Sequence, residues 1–88
     1  MNREIAESIL TQELDNTKKI GYLKLAEHIG GEPITRDVIA SDGKRYQLEI
    51  NIFWDSKKNG PIRLMGCVDD GGWRAFTPLT LSDLVYPE

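Results

Sequence analysis

Apolar side chains occupy every even position from 46 to 54 (Tyr46, Leu48, Ile50, Ile52, Trp54), while Gln47, Glu49 and Asn51 fill odd ones. A repeat of two residues sends alternate side chains to opposite faces of an extended chain, so the segment predicts a strand with one face in a core. Ile62, Leu64, Gly66 and Val68 keep the same parity. Setting Trp54 opposite Ile62 pairs Ile52 with Leu64 and Leu48 with Val68, so strands at about 44–54 and 62–68 predict each other's register. Two lysines, Asn59, Gly60 and Pro61 lie between them, the composition of an exposed turn.

On the N-terminal side, Ile34 and Val38 belong to a further strand at about 34–40, joined to the next by Ser41, Asp42 and Gly43. A three-residue hairpin loop with glycine in the left-handed position sets Val38 against Tyr46 and Ile34 against Ile50. Arg36 is the discordant residue, falling among apolar neighbours. On the C-terminal side, Asp69, Asp70, Gly71 and Gly72 predict a tight hairpin leading into a strand at about 73–77. With Asp70 and Gly71 central, Val68 faces Trp73 and Gly66 faces Ala75; with Gly71 and Gly72 central, Asp69 faces Arg74. Either register leaves Trp73 on the face of Val68. The tail, with Leu79, Leu81, Leu84, Val85 and Tyr86, is expected to be a short helical turn or irregular segment covering the sheet.

Before residue 33 the period is helical. Ile5, Ile9, Leu10 and Leu14 share one side of a helix at about 3–15, with Asn2 as its cap. Asp15, Asn16 and Thr17 are good capping residues and predict a break there. A second helix at about 17–29 carries Tyr22, Leu25, Ala26 and Ile29 and stops at Gly30 and Gly31. Gly21 inside that segment costs about 1 kcal/mol relative to alanine, which favours a later break. The amphipathic pair covers the apolar face of an antiparallel β-meander, giving one two-layer α+β domain over residues 1–88.

Composition narrows the function classes. Of the 88 residues, 40% are apolar and 28% charged, ordinary values for a folded domain. The net charge of −3 gives no electrostatic attraction to nucleic acid or to an anionic membrane. A single cysteine, Cys67, makes no internal disulfide, and the polar start Met1, Asn2, Arg3, Glu4 lacks the apolar core of a signal peptide, so a reducing cytoplasmic setting is expected.

Catalytic and metal-binding patterns are sparse. His28 is the sole histidine and sits at a helix C-terminus, where it favourably faces the helix dipole. A dyad of Cys67 and His28 requires two distant segments to meet, and a cleft grouping of Asp55, Arg74 and Tyr46 is equally speculative by spacing. Asp69 and Asp70 are adjacent acids before glycines, which is turn chemistry; with Asp55 they also form a candidate rim for a divalent metal or small molecule, although calcium loops space their acids at alternate positions. No residues are assigned to catalysis or to a cofactor. Trp54 and Trp73 fall on the core parity. Phe53, Met65, Cys67 and Phe76 fall at odd or outward positions and form the candidate interaction surface, because apolar patches on an outer face mark partners, self-association or a further covering element.

Gly43, Lys44, Arg45 and Tyr46, then Phe53, Trp54 and Asp55, then Asp69–Phe76 with Pro78, Leu79 and Thr80 carry a resemblance. Over about residues 42–81 the chain resembles a family of small bacterial domains with no assigned activity. The resemblance implies a bacterial cytosolic α+β domain and supplies no catalytic residues. The order of elements is also similar to cystatin-like folds, which implies no activity. The expected function is a non-enzymatic protein-interaction domain, accessory or immunity-like, or a homodimer through the same face; the alternative is a small-molecule or metal-binding domain.

Overall fold

The computed structural model describes residues 2–71 and 78–87. Helix α1 runs Arg3–Lys18, and the Asn2 side chain accepts from the Ile5 amide at 3.1 Å, as its capping role requires. Ala6, Leu10, Leu14 and Thr17 form its buried stripe. The break expected at Asp15, Asn16 and Thr17 is not there. These residues stay helical because their polar side chains are satisfied within the helix: Thr17 Oγ1 donates to the Glu13 carbonyl at 2.7 Å and Gln12 donates to Asn16 at 3.2 Å. The chain turns at Gly21, whose φ of 97° suits glycine, and α2 spans Tyr22–His28.

Four strands follow: β1 (Ile34–Ile39), β2 (Arg45–Trp54), β3 (Ile62–Asp69) and β4 (Leu79–Val85). They form one antiparallel sheet in the order β1-β2-β3-β4. The α+β class and the meander expected from the sequence are therefore present. Val38 pairs with Tyr46, Ile34 with Ile50, Leu48 with Val68 and Trp54 with Ile62, the registers that the alternation predicts. Asp42 fixes the first turn by accepting from the Lys44 amide and the Tyr46 hydroxyl, both at 3.0 Å.

The C-terminal expectation needs correction. The tail is not a covering segment: residues 79–85 are the fourth strand, and Val68 and Gly66 pair with Leu79 and Leu81 in the places expected for Trp73 and Ala75. The strand expected at 73–77, with Trp73 and Phe76, lies outside the described residues.

Both helices lie on the even-position face of β2 and β3, where Tyr46, Leu48, Ile50, Ile62, Leu64 and Val68 are buried with Leu10 and Leu25. Gly66 permits the approach, since a Cβ there would stand 2.7 Å from Leu10 Cδ1. At the far end Tyr22 donates to the Gly60 carbonyl at 2.8 Å and its ring lies 6.4 Å from that of Trp54, fixing α2 on the β2–β3 turn.

Each edge strand carries one charge on the helix-facing side. Arg36 of β1, the discordant residue of the sequence, is exposed and lies 3.4 Å from Glu13; Asp83 of β4 accepts from Lys18 at 2.8 Å. One helix thus ties both edges of the sheet. Inward-pointing charges on edge strands also oppose pairing with another chain.

The Lys18 hydrogen bond, followed by the Leu84 amide and the charge of Lys18, holds the Asp83 carboxyl below its ordinary 3.8 despite the opposing effect of burial. A carboxyl lowered in the folded state contributes stability that is present above its unfolded value and lost as pH falls through the folded one. Asp83→Asn should therefore destabilise the chain near neutrality, and the difference should shrink as pH falls below the ordinary carboxylate value of 3.8 and through the lower folded one. Because both side chains are more than a third exposed, about 0.5 kcal/mol is expected from urea melts at successive pH values.

Candidate functional site

The face of the sheet away from the helices is built from the odd positions of β1, β2 and β3 and the even positions of β4. Pairing lays its residues out in rows across the strands. Phe53, Arg63 and Leu84 form one row, Asn51, Met65 and Ser82 the next, then Glu49, Cys67 and Thr80 with Thr35 of β1, then Asp37, Gln47 and Asp69, and finally the exposed pair Ile39 and Arg45. Of the four residues expected to form an apolar surface, three are thus brought to one face: Phe53, 38% exposed, and the half-buried Met65 and Cys67. Phe76 lies outside the described residues. Leu84, half-buried, joins them from β4. A tail that widens the sheet instead of covering it leaves these residues facing outward.

Beside these rows lies an open groove of 610 Å³, lined by the acids Asp37, Glu49 and Asp69, by Arg36 and Cys67, and by Pro78. Asp37 and Glu49 are exposed and form no ion pair with another described residue. Asp69 Oδ1 accepts from the Gly71 amide at 2.8 Å, which stabilises the turn after β3. Burial chiefly, and then the charges of Glu49 and Asp69, push the Cys67 thiol above its ordinary 9.0. The thiolate is the reactive form, so Cys67 should react with a disulfide reagent at neutral pH more slowly than a free cysteine, and Glu49→Gln should accelerate it. Stopped-flow labelling across pH 7 to 9 measures both effects; an unchanged rate in Glu49→Gln contradicts the electrostatic assignment.

The three rim acids are not gathered. Asp55 caps the β2 end and accepts from Arg63 Nε at 2.7 Å, whereas Asp69 and Asp70 stand at the other end of β3, roughly 23 Å away along an extended chain. Among the described residues no group of three His, Cys, Asp or Glu side chains is placed to hold a metal ion. His28 ends α2 on the helical side and Cys67 lies on the outer face, so the two do not meet. Tyr46 is buried at the opposite end of β2 from Asp55, and its hydroxyl is engaged by Asp42. Arg74, the third member of that grouping, lies outside the described residues.

Sequence reasoning missed Asp37, Glu49 and Leu84 as surface partners of the apolar set. The signal for Glu49 was present, since it shares the parity of Cys67 across the β2–β3 pair. Asp37 and Leu84 needed the sheet order and the existence of β4. Comparison of the chain with protein-family models, with curated proteins and with solved structures finds no match.

Proposed function

We propose that this chain is a non-enzymatic protein-interaction domain of the bacterial cytosol, an accessory or immunity-like partner that binds through the outer face of its sheet. The observation that carries this reading is the one-sided architecture: both helices pack on one face, and β4 extends the other, adding Leu84 across Arg63 from Phe53 and one row from Met65. A sheet ordinarily buries its apolar side chains against a further layer, and an outward apolar set beside polar rows has the composition of a docking surface. Edge addition is disfavoured, because Arg36 and Asp83 place a charge on the inward side of each edge strand. The bacterial and cytosolic setting is supported by the resemblance over residues 42–81 and by the lone cysteine; no described helix is long and apolar enough to cross a membrane.

A photo-crosslinking residue at position 53 tests the reading against the same residue at position 12, on the exposed side of α1. In producing cells the position-53 chain should form one discrete adduct that position 12 does not give. Equal adducts from both positions, or none from position 53, overturn the assignment of the face. Light scattering of the purified chain over a concentration series separates a foreign partner from a second copy.

A further inference from the structure

The turn between β2 and β3 is built on a pair of residues whose chemistry works against it. Lys57, Lys58, Asn59 and Gly60 form a four-residue turn closed by the Gly60 amide, which donates to the Lys57 carbonyl at 3.1 Å. Asn59, at the third position, has a φ of 69°, the left-handed value that a type II turn needs there and that asparagine tolerates. Gly60 is buried, and a Cβ on it would stand 3.1 Å from the Lys57 carbonyl oxygen, so the next position favours glycine. The turn thus selects asparagine followed by glycine. In that pair the next main-chain nitrogen reaches the side-chain amide with least hindrance, because glycine sets no side chain beside its own nitrogen. Of the four asparagines Asn59 alone precedes glycine; Asn2, Asn16 and Asn51 precede Arg3, Thr17 and Ile52.

Independently of the outer-face reading, we infer that Asn59 is a self-modification site, at which the Gly60 nitrogen displaces the side-chain amide at a rate set by opening of the turn. The Gly60 nitrogen, once its proton passes to solvent, bonds to Asn59 Cγ; the Cγ–Nδ2 bond breaks and the amide leaves as ammonia, taking up a proton. Water then opens the cyclic imide at one of its two carbonyls. Opening at Cγ yields aspartate, and opening at the main-chain carbonyl yields isoaspartate, with one more methylene in the main chain. The closed turn restrains the first step at both polar groups of Gly60: its amide is spent on Lys57, and its carbonyl accepts from the Tyr22 hydroxyl at 2.8 Å in a buried hydrogen bond. Asn59 itself is exposed, so water reaches its side chain freely. The reaction therefore draws on the fraction of molecules in which the turn has opened. Asp42 and Asp70 also precede glycines, but an ionised carboxylate offers no comparable leaving group, and the hydrogen bond from the Lys44 amide holds the Asp42 carboxyl below its ordinary 3.8. Isoaspartate at position 59 moves Gly60 away from Tyr22, so the change loosens α2 from the β2–β3 turn and is irreversible.

The test follows the full chain by peptide-mapping mass spectrometry during incubation at mildly alkaline pH, folded and in guanidinium chloride. Ammonia loss should occur at position 59, at least about tenfold more slowly in the folded chain than in the denatured one. Tyr22→Phe, which leaves the Gly60 carbonyl without its donor, should accelerate the folded rate about fivefold and leave the denatured rate unchanged. Asn59→Gly, which accepts the left-handed φ, should fold and stop the reaction. Hydrogen exchange of the Gly60 amide in the unsubstituted chain reports the same opening and should be slowed by a similar factor, a measurement that stands even where Tyr22→Phe does not fold. Equal rates in the folded and denatured chain, no acceleration in a folded Tyr22→Phe chain, or a Gly60 amide that exchanges as fast as in a free peptide, overturn the control by the turn. Ammonia loss that continues undiminished in Asn59→Gly overturns the site.

Discussion

Gly66→Val is expected to destabilise the chain by about 2–3 kcal/mol, a large share of the roughly 4–13 kcal/mol that a domain of this length commands. The added Cβ would meet Leu10 Cδ1 at 2.7 Å and Leu14 Cδ2 at 3.4 Å, and Leu10 is fully buried, so it has little room to rotate away. Valine is otherwise a better strand residue than glycine, which makes the sign informative: a sheet without this helix would be stabilised by the change. Leu10→Ala alone should cost about 3 kcal/mol through the cavity it leaves. Because the valine then fills part of that cavity, the double variant should be less destabilised than the two single effects added together. Urea melts of the three variants measure the coupling, and strict additivity would contradict the close approach of α1 to β3.

The second large effect concerns β4. Leu79→Asp should cost about 3 kcal/mol or more, since it places an unpaired carboxylate at a buried position opposite Val68. Leu84→Asp, on the outer side of the same strand, should cost less than about 1 kcal/mol. A tail lying over the sheet as an irregular cover has no reason to show this alternation. Thermal melts of the two variants distinguish the arrangements, and equal losses would contradict the pairing of β4 with β3.

The same strand shows why part of the fold escaped sequence reasoning. Leu79, Leu81 and Val85 keep a period of two, but Asp83 interrupts it, and only its ion pair with Lys18 explains a charge on the apolar side. Arg36 interrupts β1 in the same way for Glu13. Tertiary partners some distance along the chain overrode the local pattern in both strands, and in β4 the interruption was enough to hide the strand. In β2 and β3 no such interruption occurs, and the alternation from Tyr46 to Val68 carried both elements and their register. The helix break was misplaced because Asp15, Asn16 and Thr17 are strong caps in isolation, whereas Thr17 here is buried and bonded back to Glu13.

Legibility of the candidate site followed the same division. Phe53, Met65 and Cys67 sit on uninterrupted strands, so parity alone set them on one face. The acids Asp55, Asp69 and Asp70 were grouped by being near strand ends, but an antiparallel pair has two ends, and register puts Asp55 at one and Asp69 at the other. What parity did not reveal is the neighbourhood of Glu49 and Asp37, which depends on β1 pairing beside β2.

The central claim is that the face carrying Phe53, Met65 and Leu84 is open to solvent in the free chain. Methyl relaxation of the isolated chain with a neutral gadolinium chelate tests it most directly. The methyls of Met65 and Leu84 should relax several-fold faster than those of Leu10 and Leu64, which are fully buried. Equal protection of Met65, Leu84 and Leu64 would mean that the outer face is covered, and the proposed interaction surface would not exist.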